Sequence, residues 1–91
     1  MPTIVVELFG VPRLVAGQRA VSVDTEGSTL SDVARALAET YPSLRGRVLD
    51  EATGWPLEGY LFALDERFTR DRNTPVQPGS SVLLVASAAG G

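Results

Sequence analysis

Residues 29–42 read TLSDVARALAETYP, which is the pattern of a capped amphipathic helix. Thr29 can accept a hydrogen bond from an unpaired amide of the first turn, and Asp32 places a negative charge near the positive end of the helix dipole. Pro42 has no amide hydrogen and disfavours helical backbone at Tyr41, so the helix ends there. The apolar residues recur at helical spacing and form one stripe: Leu30, Val33, Ala34, Leu37, Ala38 and Tyr41. We therefore predict one helix whose stripe packs on a sheet.

Apolar segments on either side of the helix predict that sheet. Residues 3–9 and 20–24 alternate and are rich in β-branched side chains, so we expect them to pair as a hairpin across a long loop with glycine and proline. A third strand is predicted over residues 59–65, with a short edge strand at Phe68 and Thr69. Residues 81–86 are apolar at nearly every position, as in a central strand. The first and last strands are the most apolar, and we place them side by side, parallel, in the centre.

The segment between helix and third strand, residues 43–58, has no regular pattern. Leu44, Val48 and Leu49 are compatible with a short helical turn. We expect Trp55 to cover the bottom of the core, because tryptophan buries a large area.

Composition bounds the function. Ninety-one residues, 44% of them hydrophobic and 21% charged, suit one globular domain. The net charge of −3 argues against nucleic acid, which requires a basic surface. The sequence contains no cysteine and no histidine, and it therefore lacks the usual zinc ligands, the thiol nucleophile and the commonest general base. No apolar run has membrane-spanning length and no leader opens the chain, so a cytoplasmic location without membrane attachment is expected.

The order of these elements, ending in Gly90-Gly91, resembles the ubiquitin-like β-grasp proteins, and most of all the MoaD/ThiS family of sulfur carriers. The resemblance is carried by three segments: Thr29-Leu30-x-x-Val33-x-x-x-Leu37, Leu61-Phe62-Ala63-Leu64-Asp65, and Thr74-Pro75-Val76-x-Pro78-Gly79-x-x-Val82-x-Leu84-Val85. It implies an α+β fold with a mixed sheet of four to five strands and one main helix packed across it. Residues 1–86 would form this domain and residues 87–91 a flexible tail.

The resemblance also implies a function that resides in the tail. An ATP-using enzyme of the ubiquitin-activating type would adenylate the carboxylate of Gly91, which would become a thiocarboxylate and donate sulfur to a biosynthetic enzyme. That enzyme could belong to cysteine, molybdopterin or thio-metabolite synthesis. The chain would be a carrier, not an enzyme, and would bind no cofactor or metal itself. The expected partner contacts are Gly90, Ala89, Ala88, Ser87, Phe62 and Leu84.

Two other functions fit the same residues. The protein could be a modifier joined through Gly91 to target lysines, because the activation step is shared. It could also be a β-grasp interaction module with an inert tail, which binds through the outer face of the sheet. We expect that face to carry Val5, Phe9, Tyr60 and Phe62, although strand parity leaves open whether Phe9 and Tyr60 belong to the core.

Overall fold

The computed structural model describes residues 3–86, and these form a five-stranded sheet with one main helix across one face. The strands are β1 (Thr3–Leu8), β2 (Ala20–Asp24), β3 (Tyr60–Leu64), β4 (Arg67–Thr69) and β5 (Val82–Ala86). The helices are α1 (Val11–Ala16), α2 (Leu30–Thr40) and a 3-10 turn at Pro42–Leu44. Each predicted strand and the predicted helix is present, with bounds within one residue of those expected.

The strand order is β2-β1-β5-β3-β4. β1 and β5 are parallel neighbours near the centre, and the other neighbouring pairs are antiparallel. This confirms the predicted arrangement of the first and last strands. The division into a domain of residues 1–86 and a tail of residues 87–91 stays a prediction, because residues 87–91 lie outside the described chain.

The main helix α2 begins with a reciprocal cap. The Asp32 amide donates to the Thr29 hydroxyl, and the Thr29 amide donates to the Asp32 carboxylate. Two unpaired groups at the helix start are thereby satisfied together. The apolar stripe then packs against alternate residues of the sheet, namely Ile4, Val6, Leu8, Val21, Val23, Phe62, Val82 and Leu84.

The irregular segment, residues 43–58, completes the core. Leu44, Val48 and Leu49 have no exposed surface. The 3-10 turn contains Leu44 alone of these three, and Val48 and Leu49 follow it outside any helix. The Trp55 ring meets the Phe62 ring edge-on at 5.6 Å between centroids, so Trp55 covers part of the core as expected. The Arg72 guanidinium lies 5.2 Å from the centroid of the Trp55 ring, which joins this segment to the loop before β5.

Helix α1 is the element that the sequence analysis assigned to a loop. Pro12 stands in its first turn, where a missing amide hydrogen costs nothing, and Gly17 ends it in the left-handed conformation (φ 73°). The residues interpreted as loop punctuation are therefore the start and stop signals of a helix of six residues. Pro12 is buried, and Val15 and Ala16 pack against the core.

Candidate functional site

The end of β5 defines the place where the predicted tail joins the domain, and we call it the tail exit. Ala86, the last described residue, is paired with Tyr60 at the start of β3. On the other side the amide of Phe9 donates to the carbonyl of Leu84 at 3.1 Å, which extends the ladder between β1 and β5 by one bond. Helix α1 follows Phe9 and contacts β5. The exit is therefore bordered by the start of β3, by Phe9 and by α1.

Five of the predicted site residues, Ser87, Ala88, Ala89, Gly90 and Gly91, lie outside the described part of the chain. The structure gives the position from which they continue, at Ala86. Their assignment as the reactive arm stays a prediction.

The other two predicted partner contacts, Phe62 and Leu84, are core residues. Both side chains have a relative exposure of 0%, and the two residues are direct partners across β3 and β5 on the face that carries α2. A side chain without exposed surface cannot meet a partner while the fold is intact. Tyr60 lies two residues from Phe62 in β3 and also packs against the core. The expectation that Phe62 belongs to the outer face was wrong, and Tyr60, for which the sequence left both faces open, lies on the core side.

The outer face carries a different apolar set, offset by one residue in each strand. Leu83 is paired with Ala63, which is paired with Phe68, and Val85 is paired with Leu61. Directly paired residues share a face, so these side chains lie opposite α2. Val5 lies on the same side in β1, where buried Ile4 and Val6 face the helix. We call the following residues the outer-face patch: Val5, Leu61, Phe68, Leu83 and Val85.

Two members of the outer-face patch are conspicuously open to solvent. Val5 is 50% exposed and Phe68 is 70% exposed, whereas Leu61, Leu83 and Val85 are half-buried. Phe9 is also exposed and continues the alternation of β1 toward the tail exit. Exposed apolar side chains that share one face are candidates for contact with another protein. Val5 lies on the face that the sequence predicted for it, and the structure resolves the open assignment of Phe9 in favour of the exposed surface.

The start of β5 is held to the hairpin between β3 and β4. The amide of Asp65 donates to the carbonyl of Ser81 at 2.9 Å, and the amide of Ser81 donates to the carboxylate of Asp65 at 3.0 Å. The preceding turn is closed by the Ser80 amide, which donates to the carbonyl of Gln77. These bonds fix where β5 begins, and its pairing with both neighbours fixes its direction toward the exit.

Two aspartates have pKa values lowered by hydrogen bonds within their own turns. Hydrogen bonds from the side chain and the amide of Thr29 lower the pKa of Asp32. Amide donors from Thr53 and then Ala52 lower the pKa of Asp50. Both carboxylates are thus engaged by their own turns.

Within residues 3–86 no group of three or more acidic, histidine or cysteine side chains is arranged to hold a metal ion. No helix within those residues is both long and apolar enough to cross a bilayer.

Comparison with solved structures identifies the fold. The chain is 26% identical to SAMP1 from Haloferax volcanii, and the two structures superpose with a TM-score of 0.80. The match covers 98% of this chain and 99% of SAMP1. A Pyrococcus furiosus protein assigned as molybdopterin converting factor subunit 1 is 16% identical over 97% of this chain and 100% of its own, with a TM-score of 0.76. The Amycolatopsis orientalis BexX/CysO complex matches at 14% identity over 96% and 98%, with a TM-score of 0.69. The fold is therefore the ubiquitin-like β-grasp, as the resemblance implied.

A comparison with curated proteins finds no match. The family comparison does: the model described as the ThiS family matches residues 6–91, which takes in the helix, all of the sheet from Val6 onward and the final Gly90-Gly91. The chain therefore belongs to the ThiS family of ubiquitin-like proteins.

Proposed function

We propose that this protein is a sulfur carrier whose reactive group is the carboxylate of Gly91. The observation that carries the proposal is the ThiS-family match, which extends through residue 91 and so includes the Gly-Gly ending. The position of the tail exit supports it, because a fixed central strand leads directly to that ending. Glycine has no Cβ, so Gly90 and Gly91 can enter a channel that is too narrow for larger residues.

The chemistry needs activation because a carboxylate is anionic at cellular pH and is a poor acyl donor. A carboxylate oxygen of Gly91 would attack the α-phosphorus of ATP on a partner enzyme and displace pyrophosphate, which leaves an acyl adenylate. Hydrosulfide, delivered by a sulfur donor on the partner, would then attack the carbonyl carbon, expel AMP and lose its proton. The product is a thiocarboxylate, and its sulfur is passed to a biosynthetic enzyme in the cytoplasm.

In this scheme the carrier positions its tail and the partner supplies the catalytic groups and the ATP. The outer-face patch is the surface proposed to bind that partner. Its exposed members Val5 and Phe68 contribute little to the core, and their solvent exposure is explained by a protein that covers them. Leu61, Leu83 and Val85 lie on the same face and extend this surface from Phe68 toward the tail exit, and Leu83 has Glu7 as its neighbour in β1.

Mass spectrometry of the intact protein tests the chemical step. The protein is incubated with ATP, a sulfur donor and the activating enzyme encoded by the same genome. We expect a species heavier by the replacement of one oxygen with one sulfur, and no such species from a variant that lacks Gly91. Failure of the wild-type protein to form it, with an activating enzyme that is active on its own carrier, would overturn the proposal.

A matched pair of charge substitutions tests the surface. Val5→Asp places a carboxylate in the outer-face patch, whereas Gln77→Asp places one in the exposed turn before β5. We expect Val5→Asp to reduce the rate of charging about tenfold or more, because a buried unpaired charge is costly at an interface. Gln77→Asp should charge at the wild-type rate. Equal rates for both variants would remove the outer-face patch from the interface.

A protein modifier is the second candidate, and the similarity to SAMP1 favours it specifically, since related structures describe that protein as a small archaeal modifier protein. A modifier would use the same acyl adenylate but would transfer Gly91 to a lysine amine of a target. Immunoblots of the host for conjugates of higher mass, which disappear when Gly90 and Gly91 are deleted, distinguish this from a carrier that forms only the thiocarboxylate.

A further inference from the structure

The exposed apolar residues of this chain concentrate beside the tail exit. Five large apolar side chains are exposed among the described residues, and three of them, Phe9, Val11 and Leu14, lie within six consecutive positions. Scattered exposed apolar residues are normal on a protein surface, but a local cluster indicates a contact.

Helix α1 separates its residues into an inner and an outer set. Pro12, Val15 and Ala16 pack inward, whereas Val11 and Leu14 point to solvent. Val11 and Leu14 are three residues apart and therefore share one face of the helix. Leu14 is 79% exposed, so its side chain contributes almost nothing to the core. The fold does not account for a leucine at this position.

The length of the tail places this surface close to the partner. Residues 87–91 can extend at most about 17 Å from Ala86, at roughly 3.4 Å per residue. A catalytic centre that reaches Gly91 within a channel must therefore bring the channel entrance close to the tail exit. Helix α1 borders that exit, because it follows Phe9 and contacts β5. The surface formed by Phe9, Val11 and Leu14 is named the exit patch.

We infer that the exit patch, and Leu14 in particular, docks on an apolar rim around the channel of the enzyme that adenylates the tail. This rests on the proposed function and adds a second contact to it, apart from the outer-face patch. Phe9 connects the two surfaces, since it continues the alternation of β1 and lies two residues before the start of α1. The outer-face patch would supply most of the binding area, and the exit patch would align the tail with the channel.

The test measures the KM of the activating enzyme for three forms of the carrier. Leu14→Gln preserves the helix propensity of the position but replaces the apolar end of the side chain with an amide. Leu14→Met preserves the apolar character and the size of the side chain. We expect Leu14→Gln to raise KM about tenfold, which is the effect of losing one partly buried leucine contact, and Leu14→Met to stay near the wild-type value. Both variants should melt at the wild-type temperature, because Leu14 is exposed.

Three outcomes would contradict the inference, and they can be told apart. If the wild-type carrier is charged and Leu14→Gln has the same KM, the exit patch does not dock and the proposed function stands. If Leu14→Gln impairs only the transfer of sulfur from an already charged carrier, the patch serves the acceptor and its assignment to the adenylating enzyme is wrong. If the wild-type carrier is not charged at all, the proposed function fails together with the inference.

Discussion

Phe62 and Leu84 are direct partners across β3 and β5, and neither has exposed surface. The Phe62 ring and the Leu84 methyl groups lie between the sheet and α2, where the Trp55 ring also contacts the Phe62 ring. Phe68 in the neighbouring strand has the opposite environment, since it is mostly exposed and lies on the outer face. One phenylalanine therefore belongs to the fold and the other to the proposed interface.

Alanine substitution should separate these two roles. Phe62→Ala leaves a cavity in the core and is expected to reduce the free energy of unfolding by about 3–5 kcal/mol, which is enough to unfold a marginally stable small domain. Phe68→Ala should change stability by less than about 1 kcal/mol but slow charging by the activating enzyme. Chemical denaturation and the charging assay measure the two effects. Equal loss of stability in both variants would contradict the assignment of Phe68 to the surface.

The hairpin between β3 and β4 should gain stability from a glycine at its second turn position. Asp65 and Glu66 both have positive φ, at 50° and 72°. A turn of this kind favours asparagine or aspartate followed by glycine, and a glutamate in the left-handed region costs about 1 kcal/mol. Glu66→Gly should therefore raise the free energy of unfolding by about 0.5–1 kcal/mol.

Asp65→Gly is the matched control for the hairpin. It relieves similar backbone strain but removes the carboxylate that accepts from the Ser81 amide. We expect no gain in thermal stability from Asp65→Gly, because the lost hydrogen bond offsets the relief. A gain of the same size in both variants would show that the bond to Ser81 contributes nothing.

The cap of α2 should make stability depend on pH below the usual aspartate range. Hydrogen bonds from Thr29 hold the pKa of Asp32 below its ordinary value of about 3.9. The unfolded chain therefore binds the proton more readily, so the stabilisation is present above that value and is lost as pH falls through the lower folded pKa. Asp32→Asn should cost about 1 kcal/mol at neutral pH and progressively less in acid. A difference from wild type that stays constant with pH would contradict this role of the charge.

Gly54 should tolerate no side chain, because the segment that contains it presses on the backbone of α2. A Cβ at Gly54 would lie 2.7 Å from the carbonyl oxygen of Ala34. Gly17 has a similar positive φ, but a Cβ there would meet nothing within 4 Å. Both alanine variants pay the left-handed penalty, and only Gly54→Ala adds a clash with backbone. We expect Gly54→Ala to be the less stable of the two by about 2 kcal/mol in denaturant titrations. Equal stabilities would show that the loop can move away from the helix at no cost.

Strand pairing could be predicted because each element carried its own pattern. Helix α2 combines a cap, a stripe and a terminating proline, and β1 and β2 alternate clearly between apolar and polar positions. β3 and β5 are apolar on both faces, and such runs give no indication of which residues face the helix. Because of that ambiguity the sequence predicted Phe62 as a partner contact, whereas the structure buries Phe62 and exposes Phe68 on the proposed interface. The registers of β3 with β4 and β5 resolve the ambiguity.

The short helix α1 shows a second limit. Gly10, Pro12 and Gly17 favour a loop as strongly as they favour a capped helix, because proline suits both turns and first helical turns. The six residues between the glycines are too few for a recognisable periodic pattern. A possible signal was the buried and exposed alternation of Val11, Pro12, Leu14 and Val15, but it becomes readable only once the core is known.

The parallel pairing of β1 with β5 also determines when the domain can fold during synthesis. β1 begins at residue 3 and β5 ends at residue 86, so the central ladder joins segments separated by almost the whole chain. Such distant contacts close late, after the intervening chain is available. A nascent chain still lacking β5 has neither its middle strand nor Val82 and Leu84 to fill the core. The domain that presents the Gly-Gly arm can therefore fold only after the ribosome has synthesised the last strand.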